Sequence, residues 1–370
     1  MGVKKTKKRK YILLQNNYSI SYTDDCCYIN DKEYIDDEKK MNPKELAISF
    51  KENFYNTFLK KHYKNLLILT AAGTSLDNGE NGGKTREGLW DYCKNEISMV
   101  IDYFSTKGYA EVLKDYIDTK NIESLLSHII IFEKLHGVIK VEDKMLKREL
   151  ENKIAEACKL TLSYQAPHKN FLRKITARKN NDTRIKLFTT NYDTLFEQAA
   201  NKAGFVVIDG FSFTHPREFS GKWFDLDIVN RDKTRLKKEE SFLSEIFHLY
   251  KLHGSLNWTR MHQRIIQQDN PTEPLIIYPA DEKYESSYEQ PYFEMMSRFQ
   301  HALRKENTLL IVIGFGFQDK HINNDLKDNT STFLISGYSV NLASANTISS
   351  TISKSFSFRR LMSRGNISIN

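Results

Sequence analysis

At 370 residues, 40% hydrophobic and 12% aromatic, the chain can pack one large domain or two smaller ones, and its modest net charge of +8 gives only weak support to polyanion binding as the main role. Four cysteines, Cys26, Cys27, Cys93 and Cys158, form no CxxC pair, which argues against a disulfide framework or zinc ribbon and suits a reducing compartment. With no apolar run near the roughly 20 residues of a membrane span and no secretory N-terminus, a soluble cytoplasmic protein is expected.

Residues 4–10 hold six cations and read as a solvated arm that could touch nucleic acid or an acidic partner. Residues 11–36 alternate like short hairpins with a turn at Asn30-Asp31, so residues 1–41 form a basic arm and N-terminal hairpins. Asn42-Pro43 opens a helix whose apolar face holds Leu46, Phe50, Phe54 and Phe58. Leu66–Thr70 is a continuous apolar strand running into Ala71, Ala72, Gly73, Thr74 and Ser75. Such small residues let backbone N–H groups approach a phosphate, or simply turn the chain. From Gly88 to about residue 178 helices are expected over 88–104, 109–118, 121–138, 142–163 and 167–178, a helical insertion able to cover a cleft. His128, His136 and His168 within it read as structural residues.

Lys186–Thr190 is a strand that meets Asn191, Tyr192 and Asp193 before a helix. Polar side chains at a strand's C-terminal end sit where open α/β sheets bind ligands, although Asn and Asp there also serve as helix caps. Residues 204–208 form another strand, and 209–245 carry no clear element. Ile246–Leu252 is a strand ending in His253-Gly254-Ser255, with the imidazole placed for acid–base work or for packing on Trp258. A short strand ends at Pro279, and a helix spans 289–305. Asn307–Ile313 is a last strand, which enters Gly314, Gly316 and Phe317 as a second candidate nucleotide contact, with Lys320 and His321 placed to meet a phosphate or equally to be solvated. After Asp328 no acidic residue remains and Ser, Thr and Asn are dense, so residues 329–370 read as a tail unsuited to a deep core.

Strands alternating with helices, and polar residues gathered at strand ends, specify an α/β fold with a Rossmann-like doubly wound parallel sheet. The ends at Ala72/Gly73, Asn191/Asp193, His253 and Gly314/Gly316 should line one crevice. Ala72-Gly73-Thr74-Ser75, Thr190-Asn191-Tyr192-Asp193, Leu252-His253-Gly254-Ser255 and Ile313–Asn323 together resemble the sirtuin-like NAD-hydrolase family. The resemblance covers about residues 64–328 and points to the bacterial antiphage-defence branch, some of whose members work with a HerA-type ATPase. Gly83-Lys84-Thr85 fits that branch, whereas Ala71 stands where a glycine is expected and could narrow the approach of a pyrophosphate.

The resemblance implies a sirtuin-like domain over 42–328, NAD as substrate and, in the absence of a four-cysteine module, no zinc. It also implies a homo-oligomer and a possible HerA-type partner. Cleavage of the nicotinamide–ribose bond needs an oriented ribose, stabilised positive charge and a positioned nucleophile. Asn191 is suited to hold a ribose hydroxyl or water, Asp193 to stabilise charge, and His253 to accept a proton. Gly73, Thr74 and Ser75 would face the phosphates, and Gly314 and Gly316 the adenosine half, flanked by Ala72, Thr190, Phe317 and His321. Two other classes remain open: a non-catalytic nucleotide sensor regulating a partner ATPase, and a nucleic-acid binder using the basic arm.

Overall fold

The computed structural model describes residues 9–14, 19–34, 41–59, 62–76, 78–142, 144–178, 182–230, 242–278, 289–317, 319–327, 332–337 and 352–354. At the N-terminus β1 (Lys10–Leu14), β2 (Ser19–Tyr22), β3 (Cys27–Ile29) and β4 (Lys32–Tyr34) form an antiparallel meander, as the alternation predicts. Helix α1 (Pro43–Leu59) starts at a reciprocal cap: Glu45 N–H donates to Asn42 Oδ1 (2.9 Å) and Asn42 N–H to Glu45 Oε2 (3.3 Å). Leu46, Phe50 and Phe54 pack on the core beside Ile20 and Cys27; the Phe58 side chain lies outside the described residues.

Next come β5 (Asn65–Thr70), the single turn α2 (Gly73–Leu76) and the helical insertion. The insertion comprises α3 (Arg86–Tyr92), α4 (Lys94–Thr106), α5 (Ala110–Asp118), α6 (Ile122–His136), the short hairpin β6 (Lys140–Val141)–β7 (Lys144–Met145), and α7 (Leu146–Ala157). Two expected helices are shorter than their apolar pattern. The first breaks at Cys93, and the helix expected over 142–163 spans only α7, because Gly137, at φ +85°, ends α6 and a hairpin intervenes. Trp90, Phe104, Leu125 and Leu150 give the insertion a core of its own. Helix α8 (His168–Thr176) then leads to β8 (Lys186–Thr189), α9 (Leu195–Ala203) and β9 (Val206–Ile208).

The stretch read as featureless holds a 3-10 turn at Gly221–Asp225 and isolated bridges Phe211–Phe219 and Val229–Phe242; residues 231–241 lie outside the described set. Then follow β10 (Ile246–Lys251), β11 (Gly254–Ser255), β12 (Trp258–Met261), β13 (Arg264–Gln267), β14 (Leu275–Ile276), α10 (Tyr292–Leu303), β15 (Thr308–Ile313), α11 (Lys320–Lys327), β16 (Thr332–Gly337) and β17 (Ile352–Lys354). The expected strand ending at Pro279 is only β14, and Pro279 lies outside the described residues. Two pieces of the Ser/Thr/Asn-rich tail are strands.

The main sheet runs β17-β16-β15-β5-β8-β10-β9, with every pair parallel except β16–β17. This is the Rossmann-like α/β architecture the alternation specifies. Side-chain alternation divides the core in two. Leu66 and Ile68 of β5 face the α8 and α9 side with Phe171 and Phe196, while Leu67, Leu69 and Ala71 face Met295, Phe299 and Ile322 on the other. The Ala71 methyl therefore enters the core.

Candidate active site

The register aligns the strand ends. Ile313 pairs with Thr70, Thr70 with Thr189, and Thr189 with Lys251, so β15, β5, β8 and β10 stop in one row. Pairing runs one residue further through Ala71 N–H to Ile313 O (3.2 Å), Thr190 N–H to Thr70 O (3.1 Å) and Leu252 N–H to Thr189 O (2.8 Å). Asn191 and His253 thus each stand two residues beyond paired positions on neighbouring strands. That row is what the expected crevice requires.

Asn191 is held by a directional network. Its Nδ2 lies 3.1 Å from Ala71 O, 3.1 Å from Thr74 Oγ1 and 2.8 Å from Ser75 Oγ. Both hydroxyls spend their own protons elsewhere: Thr74 Oγ1 donates to Ala71 O (2.8 Å), and Ser75 Oγ to Asp193 Oδ2 (2.6 Å). Only acceptors therefore face the amide nitrogen, which fixes its orientation. The amide keeps its acceptor, Oδ1, as the group it can offer a ligand, rather than donor and acceptor together.

Asp193 is 7% exposed and both its oxygens are engaged. Oδ2 takes the Ser75 hydroxyl and Oδ1 takes the N–H of Leu195 (3.0 Å), the first residue of α9. The carboxylate thus lies behind Asn191, linked to it through Ser75. Thr74 and Ser75, 0% and 4% exposed, also belong to this inner layer. Their N–H groups donate to Ala71 O (2.8 Å) and Ala72 O (3.0 Å), and Gly73 N–H donates to Gly314 O (3.0 Å). Gly73, Thr74 and Ser75, expected to face the phosphates, thus have these N–H donors engaged inside the protein.

Gly73 and Gly314 are glycines for each other's sake. A Cβ on Gly73 would stand 2.5 Å from Gly314 Cα, and one on Gly314, at φ +66°, 2.7 Å from Gly73 Cα. Ala72 and Gly316 are exposed, and a Cβ on Gly316 would meet nothing within 4 Å. Thr190 is half-buried. Phe317, 8% exposed at φ +55°, turns its ring into the core against Phe315, so a ligand contact through that ring is not what the structure offers.

His253 is 8% exposed, with Nε2 3.1 Å from Asp319 Oδ2. The other carboxylate oxygen accepts the N–H groups of His321 (3.0 Å) and Ile322 (3.2 Å), which caps α11 and places half-buried His321 in its first turn. Gly254, at φ +84°, lets the chain turn straight into β11; a Cβ there would stand 2.2 Å from Leu275 O.

Lys251 is the supporting residue that sequence reasoning missed. It is 2% exposed, and its Nζ donates to Tyr192 O (3.3 Å), Asp193 O and Glu197 Oε1 (3.0 Å). Its signal was a lysine closing an otherwise apolar strand. Burial raises the Glu197 carboxyl despite that lysine. Tyr192 donates to Ile277 O (2.5 Å), its hydroxyl is pushed well above the ordinary tyrosine range by burial, and its ring packs beside α7 with Cys158 and Tyr278. Burial likewise pushes the Cys158 thiol up to about 12. The insertion therefore reaches the site through α7. His168, 0% exposed and packed on Phe196, has neither ring nitrogen hydrogen-bonded among the described residues, and burial lowers it to about 4.

Chemically, the arrangement offers an oriented amide oxygen, a buried negative charge behind it and an imidazole on the adjacent strand. Among the described residues no group of three or more His, Cys, Asp or Glu is placed to hold a metal, and no helix is long and apolar enough to cross a membrane. No curated protein matches the chain. Residues 186–333, from β8 into β16, match the family model of the SIR2-like domain, which supports a Sir2-type family and an NAD-related activity.

Proposed function

We propose that this protein is an NAD glycohydrolase, releasing nicotinamide and ADP-ribose. The observation that carries the reading is the placement of Asn191 and His253 two residues beyond the paired positions Thr189 and Lys251. Nicotinamide leaves as a neutral group, so the main demands are on the ribose and on water. The bond from ribose C1′ to the nicotinamide nitrogen breaks, with its electron pair leaving on nicotinamide. A water oxygen bonds C1′, and its proton passes to His253.

Asn191 Oδ1 accepts from a ribose hydroxyl or from that water. Donation by Nδ2 into Ser75 and on to Asp193 strengthens Oδ1 as an acceptor, because chained hydrogen bonds polarise one another. The Asp193 charge thus acts on an oxocarbenium-like centre through the amide. Exposed Ala72 and Gly316 are where the dinucleotide approaches the backbone. By motif resemblance alone, the reading extends to antiphage defence through NAD depletion by a homo-oligomer with a HerA-type partner.

The test is chromatography of NAD incubated with the protein, alone and with the product of its neighbouring gene. Nicotinamide release that disappears in Asn191→Ala and His253→Ala supports the reading. Intact NAD in every arm overturns it in favour of a nucleotide-sensing subunit.

A further inference from the structure

We propose that Asp319 is the positioning residue for His253, fixing the imidazole proton on Nε2 so that Nδ1 is the basic nitrogen. This rests on the reading of His253 as the general base. The two side chains are 10% and 8% exposed and their atoms 3.1 Å apart, in a setting shielded from water. An ionised carboxylate only accepts hydrogen bonds, so the ring nitrogen facing it carries the proton. In a neutral imidazole the lone pair then resides on the other nitrogen, and the same carboxylate stabilises the imidazolium that forms on proton uptake.

Capping alone does not account for the arrangement. The cap of α11 uses Oδ1, which takes the N–H groups of His321 and Ile322, while Oδ2 faces His253. Nor are the partners neighbours by topology. His253 follows β10 and Asp319 follows β15, strands that the sheet separates by β5 and β8. The contact joins the ends of two distant strands across the row that carries Gly73 and Asn191. The N-terminus of α11 also favours negative charge on Asp319, which strengthens its hold on a protonated ring.

The decisive variant is Asp319→Asn. An amide retains the shape and the capping oxygen, since Asn caps helices as well as Asp, but removes the charge. Two readouts are needed: the tautomer of His253 by long-range 15N–1H NMR on 15N-histidine protein, assigned with His253→Gln, and the kinetics of nicotinamide release. The wild type should show the Nε2–H tautomer. Asp319→Asn should lose that preference and lower kcat by roughly 100-fold, within the usual range of a general base, with KM held within about threefold. Asp319→Glu should recover part of kcat. An Nδ1–H tautomer in the wild type overturns the proposal, as does an Asp319→Asn variant whose kcat stays within about threefold. If the wild type releases no nicotinamide, the glycohydrolase reading fails, while the wild-type tautomer still decides this pair.

Discussion

Replacing Lys251 with Met tests whether the loop bearing Asn191 and Asp193 is held from beneath. The Nζ has three donors, and the structure gives each an acceptor: Tyr192 O, Asp193 O and Glu197 Oε1. Met keeps the stem's apolar volume and deletes all three bonds. Tyr192 O still accepts Leu256 N–H (3.1 Å), so the main loss falls on Asp193 O and Glu197. Removing one partner of a buried ion pair costs about 3–5 kcal/mol. The lower end applies here, because the Glu197 side chain keeps 21% of its surface in water and its raised carboxyl can take up a proton. At about 2–4 °C per kcal/mol for large domains, Tm should fall by about 6–12 °C. Replacing both partners, Lys251→Met with Glu197→Leu, removes the stranded charge and should restore all but about 1 kcal/mol. Urea or thermal unfolding of the wild type, both single variants and the double variant closes the cycle. A Lys251→Met variant within about 1 kcal/mol of the wild type, or a double variant as unstable as the single, would refute the reasoning.

Ser75→Ala removes the link between Asn191 and Asp193 and leaves a buried carboxylate short of one donor; about 2 kcal/mol of stability and at least tenfold in kcat should be lost, measured by melting and nicotinamide release. Gly73→Ala forces a Cβ against the Gly314 backbone and should destabilise by about 3 kcal/mol, whereas Gly316→Ala, with open space around it, should stay within about 0.5 kcal/mol. Burial lowers both His168 and His248 to about 4. Their contribution to stability is therefore complete above pH 6.5 or so and is lost as pH falls toward 4, by up to about 3 kcal/mol each. His168→Leu should flatten that decline in urea midpoints taken between pH 7 and pH 4.

Which strand ends meet was legible because β5, β8, β10 and β15 are short apolar runs with abrupt polar or glycine boundaries, and parallel pairing brings such boundaries into register. Which side chains face a ligand was not legible, because that depends on hydrogen-bond direction between segments far apart in the chain. Asn191 looks bifunctional in sequence. Its donor is consumed only because Ala71, Thr74 and Ser75 lie beside it, more than a hundred positions earlier. Gly73 reads as a phosphate glycine, yet its N–H and its missing Cβ are both committed to Gly314. Lys251 draws no reading of its own, because its partners, the Tyr192–Asp193 carbonyls, are folded over it only by tertiary structure.

The SIR2-like match begins at Lys186 and excludes β5, although β5 lies between β8 and β15. A segment starting at β8 would contain Asn191, Asp193, His253 and Asp319 but would leave Asn191 Nδ2 without its three acceptors. Free to rotate, the amide could offer either end to a ligand. With β5 and α2 in place only the oxygen is offered, and the negative charge of Asp193 reaches it through Ser75. The proposed chemistry therefore depends on a turn of four residues outside the matched segment as much as on the motif within it.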